Sequence, residues 1–181
     1  KMVKAEKDMR IIDTVEYHNL KKGKKYKITG TLMDKETGKA ARSASGRKIT
    51  ESVEFVAEGK DGTAEVEFVF DGSNLAGKTL VAFEKLYYGE KLYAVHTDLE
   101  DADQTIHVPS AGTTASEKNT GTHHAYAGEY VELTDTIEYR NLLPGETYTL
   151  HGTVVEKETE QRLSEETQQE FIPEKADGSI E

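Results

Sequence analysis

The chain has 181 residues, 35% of them hydrophobic, with nine Tyr, no Trp, no Cys and a net charge of −11. That length holds one large or two small domains, and the acidic balance argues against a nucleic-acid partner, which is gripped by clustered Lys and Arg. The lack of cysteine excludes disulfides, thiolate metal sites and cysteine nucleophiles together, and apolar runs of only four to six residues exclude a membrane-spanning helix.

Along the chain, period-two alternation between turn residues predicts strands over 9–17, 25–33, 49–57, 63–71, 78–87, 91–98 and 103–108. Lys22-Gly23, Asp61-Gly62, Asp71-Gly72 and Tyr88-Gly89 mark the turns, and the basic stretch Lys21 to Lys25 reads as one solvated turn. Further strands are predicted over 129–139, 147–155 and 168–173, and no segment carries a helical stripe. Short strands at this spacing imply an all-β chain of antiparallel, immunoglobulin-like β-sandwich type.

The chain repeats itself. "DTVEYHNLKKGKKYKITGTLMDKETG" (13 to 38) returns as "DTIEYRNLLPGETYTLHGTVVEKETE" (135 to 160), and "EFVAEGKDGTAE" (54 to 65) as "EFIPEKADGSIE" (170 to 181). The offset falls from 122 to 116 residues between the two blocks, which places a loop insertion of about six residues near Ala40 to Lys48 at a hairpin tip. Two tandem domains follow, 1–109 and 110–181, joined through the Ser-, Thr- and Gly-rich stretch "PSAGTTASEKNTGTHH". Each copy matches only part of the other: the second ends opposite Glu65, and the first has no counterpart of 109–122, so both are expected to be incomplete. A sheet in the first repeat is then expected to present an unpaired edge that an added strand, for example 109–122 of a second molecule, fills.

Polar residues occupy rows where aliphatic residues belong. Side chains alternate faces along a strand, so Asp13 shares a face with Ile11, Val15 and Tyr17, whereas Thr14 points the other way. Asp135 sits likewise among Val131, Leu133, Ile137 and Tyr139; Glu84 follows Leu80 and Ala82; His96 follows Leu92 and Ala94; and Gln104 precedes Ile106 and Val108. Isolated charges are costly to bury, so these groups are expected to meet, with one acid kept protonated by desolvation and its neighbour. Such a cluster is either a structural hydrogen-bond network or a reactive centre. The reaction open to it is attack of a Thr hydroxyl, deprotonated by His, on the Gln carboxamide, with loss of ammonia and formation of an ester between strands. Burial would keep water from the product.

The blocks "DTVEY", "ITGTLMDKETG" and "VAFEKLYY", with His96 followed eight residues later by Gln104 in "HTDLEDADQTI", resemble the Thr-Gln ester-bond (VaFE-repeat) domains of Gram-positive cell-surface adhesins. The resemblance implies an immunoglobulin-like stalk module, extracellular and attached to the cell wall. It needs no cofactor or metal, its partners are neighbouring repeats, and a host ligand is bound elsewhere in the parent protein. It makes Gln104 the acyl partner, His96 the base, and Asp13 and Glu84 the assisting acids. The nucleophilic Thr of such domains lies in a "T-x-A" stretch upstream of the "DTV" block. The second repeat has that stretch in "GTTASEKNTG", so Thr113 or Thr114 is its expected nucleophile, assisted by Asp135. The first repeat begins after the corresponding stretch, which leaves Thr14, adjacent to Asp13 but of opposite parity, as the fallback nucleophile.

Competing readings are a Thr/His/Asp hydrolase, which lacks a Gly-rich nucleophile elbow, and a ligand-binding adhesive domain without a crosslink. A Lys-Asn isopeptide staple through Lys85 is a third. Asp98, Glu100, Asp101 and Asp103 are read as a solvated acidic loop, since the Gly and distal Glu of a calcium loop are missing. His107, His123 and His124 lack zinc-ligand spacing.

Overall fold

The computed structural model describes residues 1–181, all of them in strands or connecting turns and loops. The chain divides into two compact units, Lys1–Ser110 and Ala111–Glu181.

Unit 1 contains β1 (Met9–Tyr17), β2 (Lys25–Asp34), β3 (Lys39–Ala40), β4 (Thr50–Val56), β5 (Gly62–Phe70), β6 (Thr79–Tyr88), β7 (Lys91–His96) and β8 (Thr105–His107). Antiparallel β1 and β5 form one sheet. In the other, β2 lies beside β6; β4 and β3 take the far edge of β2, and β7 and β8 share the far edge of β6. The two sheets face each other across a core of Ile11, Val66 and Phe68 from one side and Ile28, Leu32, Leu80, Ala82 and Ile106 from the other. β6 is apolar on both faces near its start, and Leu80, Val81 and Ala82 are all buried.

The inward rows need room for large rings. A Cβ on Gly30 would meet Phe68 Cζ at 2.6 Å and Val66 Cγ1 at 3.1 Å. Glycine is therefore the residue that lets β5 approach β2 there.

Three local expectations are revised. Asp103 and Gln104 stand in the turn before β8 rather than in the strand, because Thr105 Oγ1 donates to Asp101 O (2.6 Å) and closes that turn. The inserted residues near the hairpin tip are not a free loop: Ala41 and Ile49 are buried and Arg42 bridges to Lys48, so the insertion covers one end of the core. The Ser/Thr-rich junction is strand β9 (Ser110–Glu117), its β-branched Thr113 and Thr114 being good strand formers.

Unit 2 adds β10 (Leu133–Arg140), β11 (Tyr148–Gly152), β12 (Thr167–Phe171) and β13 (Gly178–Ile180), in sheets ordered β13-β10-β9 and β11-β12. The tandem repeat is visible bond by bond. Asn19 and Asn141 both adopt positive φ (64° and 60°), and their N–H groups donate to Asp61 Oδ1 (3.1 Å) and Asp177 Oδ1 (2.8 Å). Lys21 N donates to Tyr26 Oη and Leu143 N to Tyr148 Oη, each at 3.0 Å. Tyr17 lies over Gly62 and Tyr139 over Gly178, so closely that a Cβ on either glycine would come within 2.5 Å of the phenol oxygen.

Residues Lys1–Val3 run parallel to β8: His107 N donates to Lys1 O (2.7 Å) and Val3 N to His107 O (3.0 Å). The edge expected to lie unpaired is thus occupied along β8. β7 remains uncovered, with all six of its residues exposed.

Gly30→Ala is expected to destabilise unit 1 by about 1–3 kcal/mol, because Phe68 is fully buried and has nowhere to retreat. Urea unfolding checks this, and an unchanged midpoint would show that the sheets separate freely at this point.

Candidate functional site

β1 and β6 carry the acids. Inward rows that are otherwise aliphatic bring Asp13 and Glu84 into the core at 5% and 3% exposure. On β6, Glu84 stands opposite Gly30 of β2 and His96 of β7. The register of β7 depends on a bulge at Leu86/Tyr87, beyond which Ala94 and His96 pair with Leu86 and Glu84.

Asp13 Oδ2 and both carboxyl oxygens of Glu84 are buried without a well-formed hydrogen bond, although His96 Nδ1 comes within 3.3 Å of Glu84 Oε2. Two acceptors facing each other in a dry core require a proton between them. Burial above all, then the hydrogen bond to Asp13, its charge and that of Asp101, push the Glu84 carboxyl up to about 9. Glu84 is therefore a neutral acid at pH 7, able to donate to Asp13.

Asp101 organises the other half of the cluster. Its Oδ2 lies 3.0 Å from His96 Nε2, and its Oδ1 accepts from Asp103 N (2.8 Å) and Gln104 N (3.3 Å). His96 Nδ1 faces Glu84 Oε2 at 3.3 Å. The imidazole thus stands between a neutral buried acid and a loop carboxylate, and the same carboxylate holds the backbone of Gln104. Ala82 N donates to Gln104 O (3.2 Å), so Gln104 flanks Ala82, the core-facing neighbour of Glu84 on β6.

Asp13, Glu84, His96 and Gln104 therefore converge on one end of the sandwich, but they do not share one environment. The acids are enclosed, whereas the His96 side chain is 47% exposed and Gln104 is half-buried. A cavity of about 310 Å³ opens between β1 and β7, walled by Val15, Tyr17, Ile28 and Leu86, with Glu84 and His96 also on its lining. The sealed polar quartet expected from strand parity is a sealed pair with a solvent-open rim, because nothing covers β7.

Other expected residues lie elsewhere. Thr14 is exposed on the outer face of β1, turned away from Asp13 as parity requires. Asp135 is exposed on β10; Val131 and Leu133 in its row are 45% and 48% exposed, so that end of the row has no opposing layer. Thr113 and Thr114 are exposed on β9. Lys85 is exposed on the outer face of β6, which removes the buried lysine that an isopeptide staple needs. The acidic loop is not simply solvated: Asp98 Oδ1 accepts from Glu100 N (2.9 Å), and Asp101 closes the next turn. No group of three or more His, Cys, Asp or Glu side chains is placed to hold a metal ion.

Asp101 was not among the expected site residues. The signal available in the sequence was the spacing Asp-x-Asp-Gln, in which an Asp side chain captures the amides two and three residues on. The same spacing describes any acidic turn.

Comparison with known proteins follows the same division of the chain. Residues 1–108 and 109–181 each match the T-Q ester bond containing domain. The chain belongs to that family. Among solved structures it is similar to a bacterial adhesin from Mobiluncus mulieris containing intramolecular disulfide, isopeptide and ester bond cross-links. One crystal form aligns with 14% identity, TM-score 0.48, and coverage of 84% of this chain and 82% of that one. A second form aligns with 12% identity, TM-score 0.44, and coverage of 86% and 84%. No curated protein matches the chain.

The Glu84 proton has a thermodynamic signature. The unfolded chain releases it near the ordinary value of 4.5, whereas the folded unit holds it to about 9. The stability it confers is therefore complete below pH 4.5 and declines as the pH rises toward 9, by at most about 1.4 kcal/mol per pH unit. The depressed carboxyls, such as Asp61 and Asp71, act below that window and do not oppose the slope. Urea midpoints are expected to fall from pH 5 to pH 8 in the native chain and to flatten in Glu84→Gln; equal slopes in the two proteins would show that Glu84 is not the proton carrier.

Proposed function

We propose that unit 1 is a self-crosslinking stalk module of a Gram-positive surface adhesin, in which Gln104 is joined through an ester to a threonine on a strand laid along β7, in line with the edge that Lys1–Val3 occupies beside β8. The observation that carries this reading is the bridge made by Asp101, whose two carboxylate oxygens fix the base, His96, and the residue bearing the carboxamide, Gln104, in one frame. The parallel course of Lys1–Val3 beside β8 supplies the direction: a strand continuing that edge backward passes Gln104 and then the open flank of β7.

The chemistry proceeds in two steps. Asp101 holds Nε2 of His96 and leaves Nδ1 directed into the site. The Thr hydroxyl gives its proton to Nδ1 while its oxygen attacks Cδ of Gln104. Neutral Glu84 donates to the developing oxyanion from a site without competing water. The C–N bond then breaks, the nitrogen takes the proton from the imidazolium, and ammonia departs. The strand itself closes the cavity between β1 and β7, so the ester ends in a dry environment. There is one turnover, and the module is not an enzyme in the multiple-turnover sense.

In the parent protein the module is extracellular and cell-wall-attached, its partners are adjacent repeats, and a host ligand is bound elsewhere. A covalent tie between first and last strands suits a cysteine-free shaft, because stretching the ends then loads a bond instead of peeling a sheet edge.

A synthetic peptide with the sequence of residues 110–122, which carries Thr113 and Thr114, tests this. Mixed with the chain, it is expected to give an adduct lighter than the summed masses by about 17 Da and attached at Gln104. His96→Ala is expected to abolish the adduct, and Asp101→Asn to slow it by about 100-fold. An adduct that forms equally fast in His96→Ala would remove the imidazole from the mechanism.

A further inference from the structure

The enclosure of the site is uneven, and that unevenness has chemical consequences. Asp13 and Glu84 are sealed, but His96 is 47% exposed and lines a solvent-open cavity of about 310 Å³. Its walls combine apolar Val15, Ile28 and Leu86 with Tyr17 and with the polar groups of Glu16, His18 and Glu84. Gln104 is half-buried and tied through its own N–H to the carboxylate that contacts His96. A small neutral molecule with a nucleophilic O–H or N–H reaches His96 through the cavity, and Gln104, half-buried on the adjoining loop outside the cavity lining, is held to the same carboxylate as His96.

We infer that Gln104 in this open site is an acyl donor to small nucleophiles from solvent, water among them, so that an open groove consumes its own glutamine by self-deamidation to glutamate. This rests on the acyl-transfer reading above and extends it to the acceptor. With water, His96 takes one proton as the oxygen attacks Cδ, the C–N bond breaks, and the nitrogen leaves as ammonia with that proton. The product is a carboxylic acid at position 104, about 1 Da heavier than the amide, and it can no longer form an ester by loss of ammonia. A strand along β7 is then both the reaction partner and the shield, and an exposed module stays competent for a limited time.

Hydroxylamine is the probe, because its hydroxamate product is stable and adds about 16 Da. The folded 181-residue chain, incubated with hydroxylamine at neutral pH and fragmented for mass spectrometry, is expected to carry this addition at Gln104. The reaction is expected to be at least about tenfold slower in His96→Ala and in the urea-unfolded chain. Excess 110–122 peptide is expected to suppress it. His96 is exposed enough that its replacement leaves the core intact; Asp101→Asn provides a second variant that is also expected to react more slowly. Equal hydroxamate yield in folded, unfolded and His96→Ala chains would overturn the inference by showing ordinary amide chemistry. An unmodified Gln104 in a chain that still forms the peptide adduct would overturn it while leaving the ester reading intact. Failure of both reactions would overturn the two together.

Discussion

The burial of two carboxyl groups, Asp13 and Glu84, in one apolar core is the constraint around which unit 1 is arranged. Two carboxyl groups at 5% and 3% exposure cannot both ionise in an aliphatic core without a cost of several kcal/mol. Holding one of them neutral removes most of that cost, and it requires the sheets to press together closely enough that no water reaches the pair. Gly30, opposite Glu84, permits this approach by leaving space for the Phe68 ring, and Val66, paired with Asp13, joins Phe68 and Ile28 in the same apolar core. Packing thus sets the protonation state of the pair.

The rim of the site is built on different principles. The β6–β7 bulge decides that His96, and not its neighbour, stands opposite Glu84. The β7–β8 loop is shaped by its own side chains, with Asp98 and Asp101 capturing backbone amides, so its geometry is local and persists without burial. Asp101 links these two parts because one oxygen serves the turn and the other the imidazole. The His96 imidazole and the Gln104 backbone are thus held by one carboxylate at the uncovered β7 edge, the frame on which the proposed single acyl transfer rests. A hydrolase would instead need a formed oxyanion pocket and a route for product release.

The two repeats separate what the fold needs from what the chemistry needs. The corner at Asn19 and Asn141, the Tyr over Gly contact and the Tyr hydroxyl that accepts from the preceding turn occur in both units with nearly the same distances. These are local devices that pin a strand pair to its turn. The buried acid is not reproduced: Asp135 repeats Asp13 in sequence yet lies in solvent, because a carboxyl is buried only where a second layer covers it.

Most strand positions, the tandem repeat and the inward rows of Asp13 and Glu84 were determined by the sequence alone, because alternation and turn residues are properties of the local backbone and survive in any all-β arrangement, whereas Gln104 fell in a turn and the row of His96 on an exposed strand. Strand parity also turned Thr14 away from Asp13 correctly. Tertiary structure decided which of those rows were covered. It closed the core over Asp13 and Glu84, left His96 at an uncovered edge, exposed Asp135, and made Asp101, one residue of an acidic loop, the link between the His96 imidazole and the Gln104 backbone. Burial and contact across β6, β7 and the β7–β8 loop depend on layers contributed by distant segments, and no spacing within a single strand encodes them.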